Sequence, residues 1–147
     1  MKYILILITL AFASHQQPSK TLIVGEHDEN ITRKSPAQNH SELFKEWKIL
    51  KINGIEQLNS PPTMSFEKED SKVNGFAGCN NYFATFKISK NELSLGPAGT
   101  TRKLCPDMSV EDAFLRLLPK ISRYEIVKKE LYLYGQADEL LIVAFSM

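Results

Sequence analysis

The 147-residue chain has two cysteines, one tryptophan and three histidines. Two thiolates are too few for a structural zinc site. The histidines, His15, His27 and His40, all precede the body of the chain and stand far in sequence from Cys79 and Cys105. They read as solvated linker residues, and neither a metal nor a cofactor is expected. An excess of one charge is also missing: Lys+Arg 18 against Asp+Glu 17 gives +1. No global field therefore draws the protein to nucleic acid or to an anionic membrane. The chain also lacks an apolar run of about 20 residues, the length that spans a bilayer. Interspersed charges suggest an ordinary solvated surface.

What is present suffices for one domain. Apolar residues make up 43% of the chain and aromatics 10%, enough for a packed core. Lys2 followed by the apolar run 3–12 and Ala11-Phe12-Ala13 reads as a short secretory signal over residues 1–13. A membrane anchor or a buried strand is the alternative reading of that run. No cysteine follows it directly, so a lipid-anchored product is not supported. No stable span is expected once the signal is cleaved.

Residues 14–41 read as a flexible tether, rich in Gln, Asn, Ser, Pro, Glu and Lys. Such a composition buries too little apolar surface to offset its ordering entropy. Within it, Asp28-Glu29-Asn30-Ile31-Thr32 contains an N-x-[ST] pattern with an acid two residues before Asn30. This resembles the extended acceptor sequon of bacterial oligosaccharyltransferases and marks Asn30 as a glycosylation candidate. An unmodified polar loop is the alternative.

The folded domain is expected over 42–147. Strand signals cover 47–52, then Asn53-Gly54 predicts a hairpin returning over 55–58. Short strands follow at 63–67 and 72–76. The clearest alternation comes next: Tyr82, Ala84, Phe86 and Ile88 on one face, Phe83, Thr85, Lys87 and Ser89 on the other. Residues 92–95 pair back, and 96–99 reads as loop. The spacing of Val110, Ala113, Phe114, Leu117, Leu118 and Ile121 predicts one helix over 109–118. Ser109 is its expected N-cap, Glu111 and Asp112 complement its dipole, and Pro119 ends it. Three strands with short turns close the chain. The fold class is thus mainly β (α+β): a curled, barrel-like antiparallel sheet of about eight strands with one helix.

Three readings stay open for the cysteines. A disulfide suits an exported protein, two buried free thiols are the bland alternative, and Cys105, near a helix start, could be a nucleophile. The residues around them are distinctive. Gly78-Cys79-Asn80-Asn81-Tyr82 followed by Thr101-Arg102-Lys103-Leu104-Cys105-Pro106 resembles the paired signatures of the META/HslJ-like domain family. The resemblance covers 44–147. It implies a bacterial envelope protein of the periplasm, linked to heat-shock response and novobiocin resistance, with no accepted catalytic residues to carry over. Stress tolerance exerted through binding is therefore the expected function, and the chain is not expected to be an enzyme.

Residue by residue, the motif has a structural and a functional reading. Structurally, Gly75 and Gly78 permit unusual backbone, Asn80 bonds nearby backbone, Tyr82 packs, and Arg102 pairs with Glu111 or caps carbonyls. Functionally, Asn80, Tyr82 and Arg102 converge as a ligand-binding set. Envelope proteins or exposed peptide are the expected partners of a monomer. A small-ligand barrel would instead have a cavity lined by Phe83, Phe86 and Tyr132. A thiol or hydrolytic enzyme would show a polar cleft around Cys105, Arg102 or Glu111.

Overall fold

Alternation between apolar and polar residues produces nine antiparallel strands in the computed structural model, which describes residues 40–147. They are β1 (Glu46–Ile52), β2 (Thr63–Glu67), β3 (Lys72–Phe76), β4 (Asn81–Ser89), β5 (Glu92–Leu95), β6 (Gly99–Thr100), β7 (Arg123–Val127), β8 (Glu130–Tyr134) and β9 (Leu140–Ser146). The sheet order is β3-β2-β1-β9-β8-β7-β5-β4-β6, and β3 also pairs with β4. The order therefore returns on itself as a ring, with β6 an added strand on β4. The narrowest seam is where β5 meets β7, through the single pair Glu92↔Arg123.

The expected curled antiparallel sheet with one helix is what forms. On β4, Tyr82, Ala84 and Phe86 turn inward and are buried, while Phe83 and Thr85 face out. Trp47 and Ile49 of β1 and Leu131 and Leu133 of β8 join them in the core. The helix α1 (Ser109–Leu117) adds Phe114 and Leu117, and a 3-10 turn (Leu118–Lys120) adds Leu118. Pro119 stands in that turn, where the α-helix gives way as its ring demands.

Four local expectations are corrected. Asn53 and Gly54 do turn at positive φ, and Ile52 and Ile55 exchange hydrogen bonds of 2.9 and 2.8 Å. The ladder stops at that pair. β9 runs along one edge of β1, and on the other edge β2 pairs at 46–48 and the Pro62 carbonyl takes the Ile49 N–H at 2.9 Å, so the return from the turn is confined to the Ile52↔Ile55 bridge. Gly99, expected as loop, pairs with Phe83, and Thr100 after it pairs with Tyr82. Ser109 is the first helical residue and not the cap; Met108 holds the cap position without a side-chain bond. Asp107 supplies the local acceptor instead, taking the Ser109 N–H at 2.9 Å, and hydrogen bonding from the Ser109 side chain and then from that N–H holds its carboxyl below the ordinary value.

His40 is the fourth correction. It belongs to a 3-10 turn (His40–Leu43), and its Nδ1 lies 2.9 Å from the Tyr124 hydroxyl. Leu43 draws the turn inward: it is fully buried, and its carbonyl accepts from Trp47 Nε1 at 2.9 Å. Burial pushes the Tyr124 phenol above its usual value.

Candidate functional site

Between β3 and β4 the chain makes a tight connection at 77–80, closed by a 2.7 Å bond from the Ala77 N–H to the Asn80 carbonyl. Gly78 sits there at φ +122, and a Cβ would come within 3.2 Å of both the Glu111 nitrogen and Val110. Glycine thus allows the first turn of α1 to close on this connection.

Glu111 fills that contact. It is buried, and its Oε2 accepts the N–H groups of Asn80 at 2.6 Å and Cys79 at 3.1 Å. Its Oε1 accepts Asn80 Nδ2 at 2.9 Å. Asn80, also buried, uses the rest of its amide on the loop after β6. Nδ2 donates to the Lys103 carbonyl at 3.1 Å, and Oδ1 accepts the Lys103 N–H at 2.6 Å and the Thr101 hydroxyl at 2.9 Å. The amide has two donor and two acceptor positions, and all four are filled. One asparagine side chain thereby grips both main-chain groups of Lys103, as a neighbouring strand would. Two residues on, Cys105 is bonded to Cys79, with Cα atoms 6.1 Å apart. Helix, strand and loop meet at one clasp.

Tyr82 backs the clasp from the core. Its hydroxyl donates to the Thr63 carbonyl at 3.1 Å, and its ring meets Phe114 edge-on with centroids 5.3 Å apart. Burial pushes its phenol far above the ordinary value. Gly75 permits the same close passage: a Cβ there would fall 2.2 Å from the Thr63 carbonyl oxygen.

The structure separates the three residues expected to share a ligand. Asn80 and Tyr82 face inward, with their polar atoms committed, whereas Arg102 is exposed. Arg102 does not pair with Glu111, whose oxygens are taken by Asn80 and Cys79. The bonded cysteines remove the thiol-nucleophile reading, because neither sulfur can become a thiolate. The aromatic cavity lining is likewise corrected: Phe86 is in the core, Phe83 is 63% exposed, and the Tyr132 hydroxyl bonds Glu130. Phe83 and Phe86 sit an odd number of residues apart on one strand, so they lie on opposite faces. Asn30 lies outside the described residues. Among the described residues, no group of three or more His, Cys, Asp or Glu could hold a metal ion.

Outside the clasp, the side chains of Arg102, Lys103 and Leu104 stand in solvent, Leu104 at 97% exposure. Below them a groove of about 540 Å³ is lined by Phe76, Cys79, Asn81, Thr101, Arg102 and Lys103. It carries two cations and no acid. The sequence reading missed the central part of Glu111, although a signal was there. Glu111 precedes Phe114 by three residues and Leu118 by seven, so it lies within the apolar stripe. An acid placed there is buried and needs partners.

The META domain model matches residues 41–146. Among solved structures, an NMR structure of a protein from Burkholderia xenovorans superposes with a TM-score of 0.58 at 20% identity, covering 74% of this chain and 88% of that one. A second NMR structure gives 0.54 at 19% identity, over 70% and 90% of the two chains. A crystal structure of a DUF4847 family protein from Bacteroides vulgatus gives 0.55 at 12% identity, over 71% and 93%. At these identities the likeness concerns the fold. No curated protein matches the sequence. With the family model spanning almost all of the described residues, both signature segments included, the chain belongs to the META domain family.

Proposed function

We propose that this META domain is an exported, non-enzymatic envelope protein that contributes to heat and antibiotic tolerance by binding an envelope protein or exposed peptide. The binding surface is the loop 101–105 together with the groove beneath Arg102. One observation carries this reading. The Lys103 main chain is fixed by Asn80, and Cys105 by Cys79, yet the Leu104 side chain is 97% exposed. Leaving a leucine in water forgoes about 2 kcal/mol of burial. A loop needed only for the fold would gain nothing from that placement. Asn80 and Tyr82 then act as positioning residues, and Arg102, Lys103 and Leu104 make the contacts. Export rests on the signal-like residues 1–13 and agrees with a disulfide, which persists in oxidising compartments.

The test uses a native-host deletion strain complemented with wild type or with R102E/L104D. These side chains are exposed, so the variant should melt like wild type. Wild type should fractionate with the envelope and restore survival of heat and novobiocin, and R102E/L104D should not restore it. Full rescue by a normally folded variant, or wild type retained in the cytoplasm, overturns the reading.

A further inference from the structure

A second groove, of about 630 Å³, lies at the other end of the β3–β4 ladder. It is built from the 3-10 turn His40–Leu43, the β2–β3 turn and the β4–β5 turn. Its chemistry is one-sided. Lys68, Lys90 and His40 line it, and no acidic side chain is among the described residues that do. The nearby Asp70 is turned to Lys72, at 3.0 Å. Among the described residues, neither Lys68 nor Lys90 takes part in an ion pair.

The floor is aromatic. Phe44 and Phe86 lie with ring centroids 6.3 Å apart, and Lys68 Nζ stands 5.9 Å from the Phe44 centroid, within cation–π range. Phe44 is half-buried and so offers an apolar face to whatever enters. Ser71 and Ser89 add hydroxyls to the lining. The turns that carry these groups are fixed. Ser71 and Lys90 hold positive φ of 51° and 54°, and the Ser71 carbonyl accepts the Phe86 N–H at 2.9 Å. Left-handed backbone at a non-glycine residue costs roughly 1–2 kcal/mol, and here two such residues line one groove.

We infer that this groove binds a small carboxylate with an apolar body. The carboxylate sits between Lys68 and Lys90 and accepts from the serine hydroxyls, while the body lies on Phe44. The lysines act as point charges without the bidentate fork of an arginine. Two such charges over an aromatic floor suit a monoanion with an apolar part better than a multiply charged phosphate. The volume falls within the range of small-molecule sites. This site is separate from the loop 101–105, and neither assignment depends on the other.

The test is an NMR titration of ¹⁵N-labelled, disulfide-bonded protein with benzoate, hexanoate and the neutral isostere benzamide. At least one carboxylate should shift the amides of Ser71, Ser89 and Lys90 saturably, with a Kd of about 1 mM or tighter, and benzamide should bind at least about tenfold more weakly. K68E/K90E should abolish the shifts, and R102E should leave them unchanged. K68Q and K90Q should each weaken binding, which keeps the test decisive if the double reversal misfolds. The assignment is overturned if neither carboxylate gives saturable shifts, if benzamide binds equally, or if the shifts survive in every lysine variant.

Discussion

The two ends of the β3–β4 ladder are held by different means. At the end near Phe76 and Asn81, a disulfide, a buried glutamate and a buried asparagine tie strand, loop and helix together. At the end near Ser71 and Ser89, two tight turns and a 3-10 turn meet with exposed lysines, and His40 is tied to Tyr124. The first end fixes side chains that point away from it. The second leaves its own side chains facing a concavity. In a small closed sheet, buried polar bonding marks where geometry is fixed, and unbalanced surface charge marks where a ligand can be met.

The sharpest way to break this contrast is Glu111→Ala. Three donors would lose their acceptor in a water-poor site, at about 1–3 kcal/mol each at the upper limit and about 3–5 kcal/mol in sum after relaxation. Urea unfolding of oxidised protein checks this, and a loss under about 1 kcal/mol would make the glutamate incidental. Next in size is C79A/C105A. The bond closes a loop with a sequence separation of 26, which gives roughly 3–4 kcal/mol on the chain-entropy model. The Lys103 amide should stay protected in that variant, because Asn80 still holds it.

Tyr82→Phe gives a smaller effect with a definite pH dependence. Near neutral pH it removes one hydrogen bond to Thr63, about 1 kcal/mol. Wild type keeps the folded phenol protonated while the unfolded one ionises near its ordinary value of 10.0. Above that pH the folded state holds more protons than the unfolded state, so stability falls as pH rises. By about pH 11 this removes about 1.4 kcal/mol from wild type and nothing from the phenylalanine variant. The two stability curves should therefore meet near pH 11, and parallel curves would contradict the burial of this hydroxyl.

The smallest effect belongs at the other end. Ser71→Gly and Lys90→Gly each relieve a left-handed backbone and add unfolded-state entropy, terms of similar size and opposite sign. Both should change stability by no more than about 0.5 kcal/mol in the same unfolding assay. A loss above about 2 kcal/mol at either turn would remove the distinction between the two ends.

Much of the fold was legible because period and sign are local. The alternation from Tyr82 to Ser89 placed β4, and the stripe from Val110 to Ile121 placed the helix against the core. What was not legible depended on competition. Asn53-Gly54 makes its turn, but the strand expected after it stops at Ile55, because the chain through Pro62 takes the Ile49 N–H and leads into β2 on that edge of β1. His40 looked solvated by composition, yet Leu43 next to it carries it onto Tyr124. At the candidate site, the signature residues were visible and their directions were not. Asn80 and Arg102 stand 22 positions apart in sequence, and only the fold turns one inward and the other outward. Glu111 was assigned to the helix dipole and to Arg102, the partners that its first-turn position and the nearby signature suggest. Its three acceptor bonds come from Cys79 and Asn80 in the β3–β4 connection, 32 and 31 residues earlier.

The most direct test of the clasp is amide hydrogen exchange at Lys103, whose N–H is bonded to Asn80 Oδ1 at 2.6 Å. A fixed loop requires Lys103 to exchange within about tenfold of the slow amides of β8 and β9, in both oxidised protein and C79A/C105A, while Leu104 next to it exchanges fast. Exchange at Lys103 as fast as at Leu104 in oxidised protein would contradict the clasp.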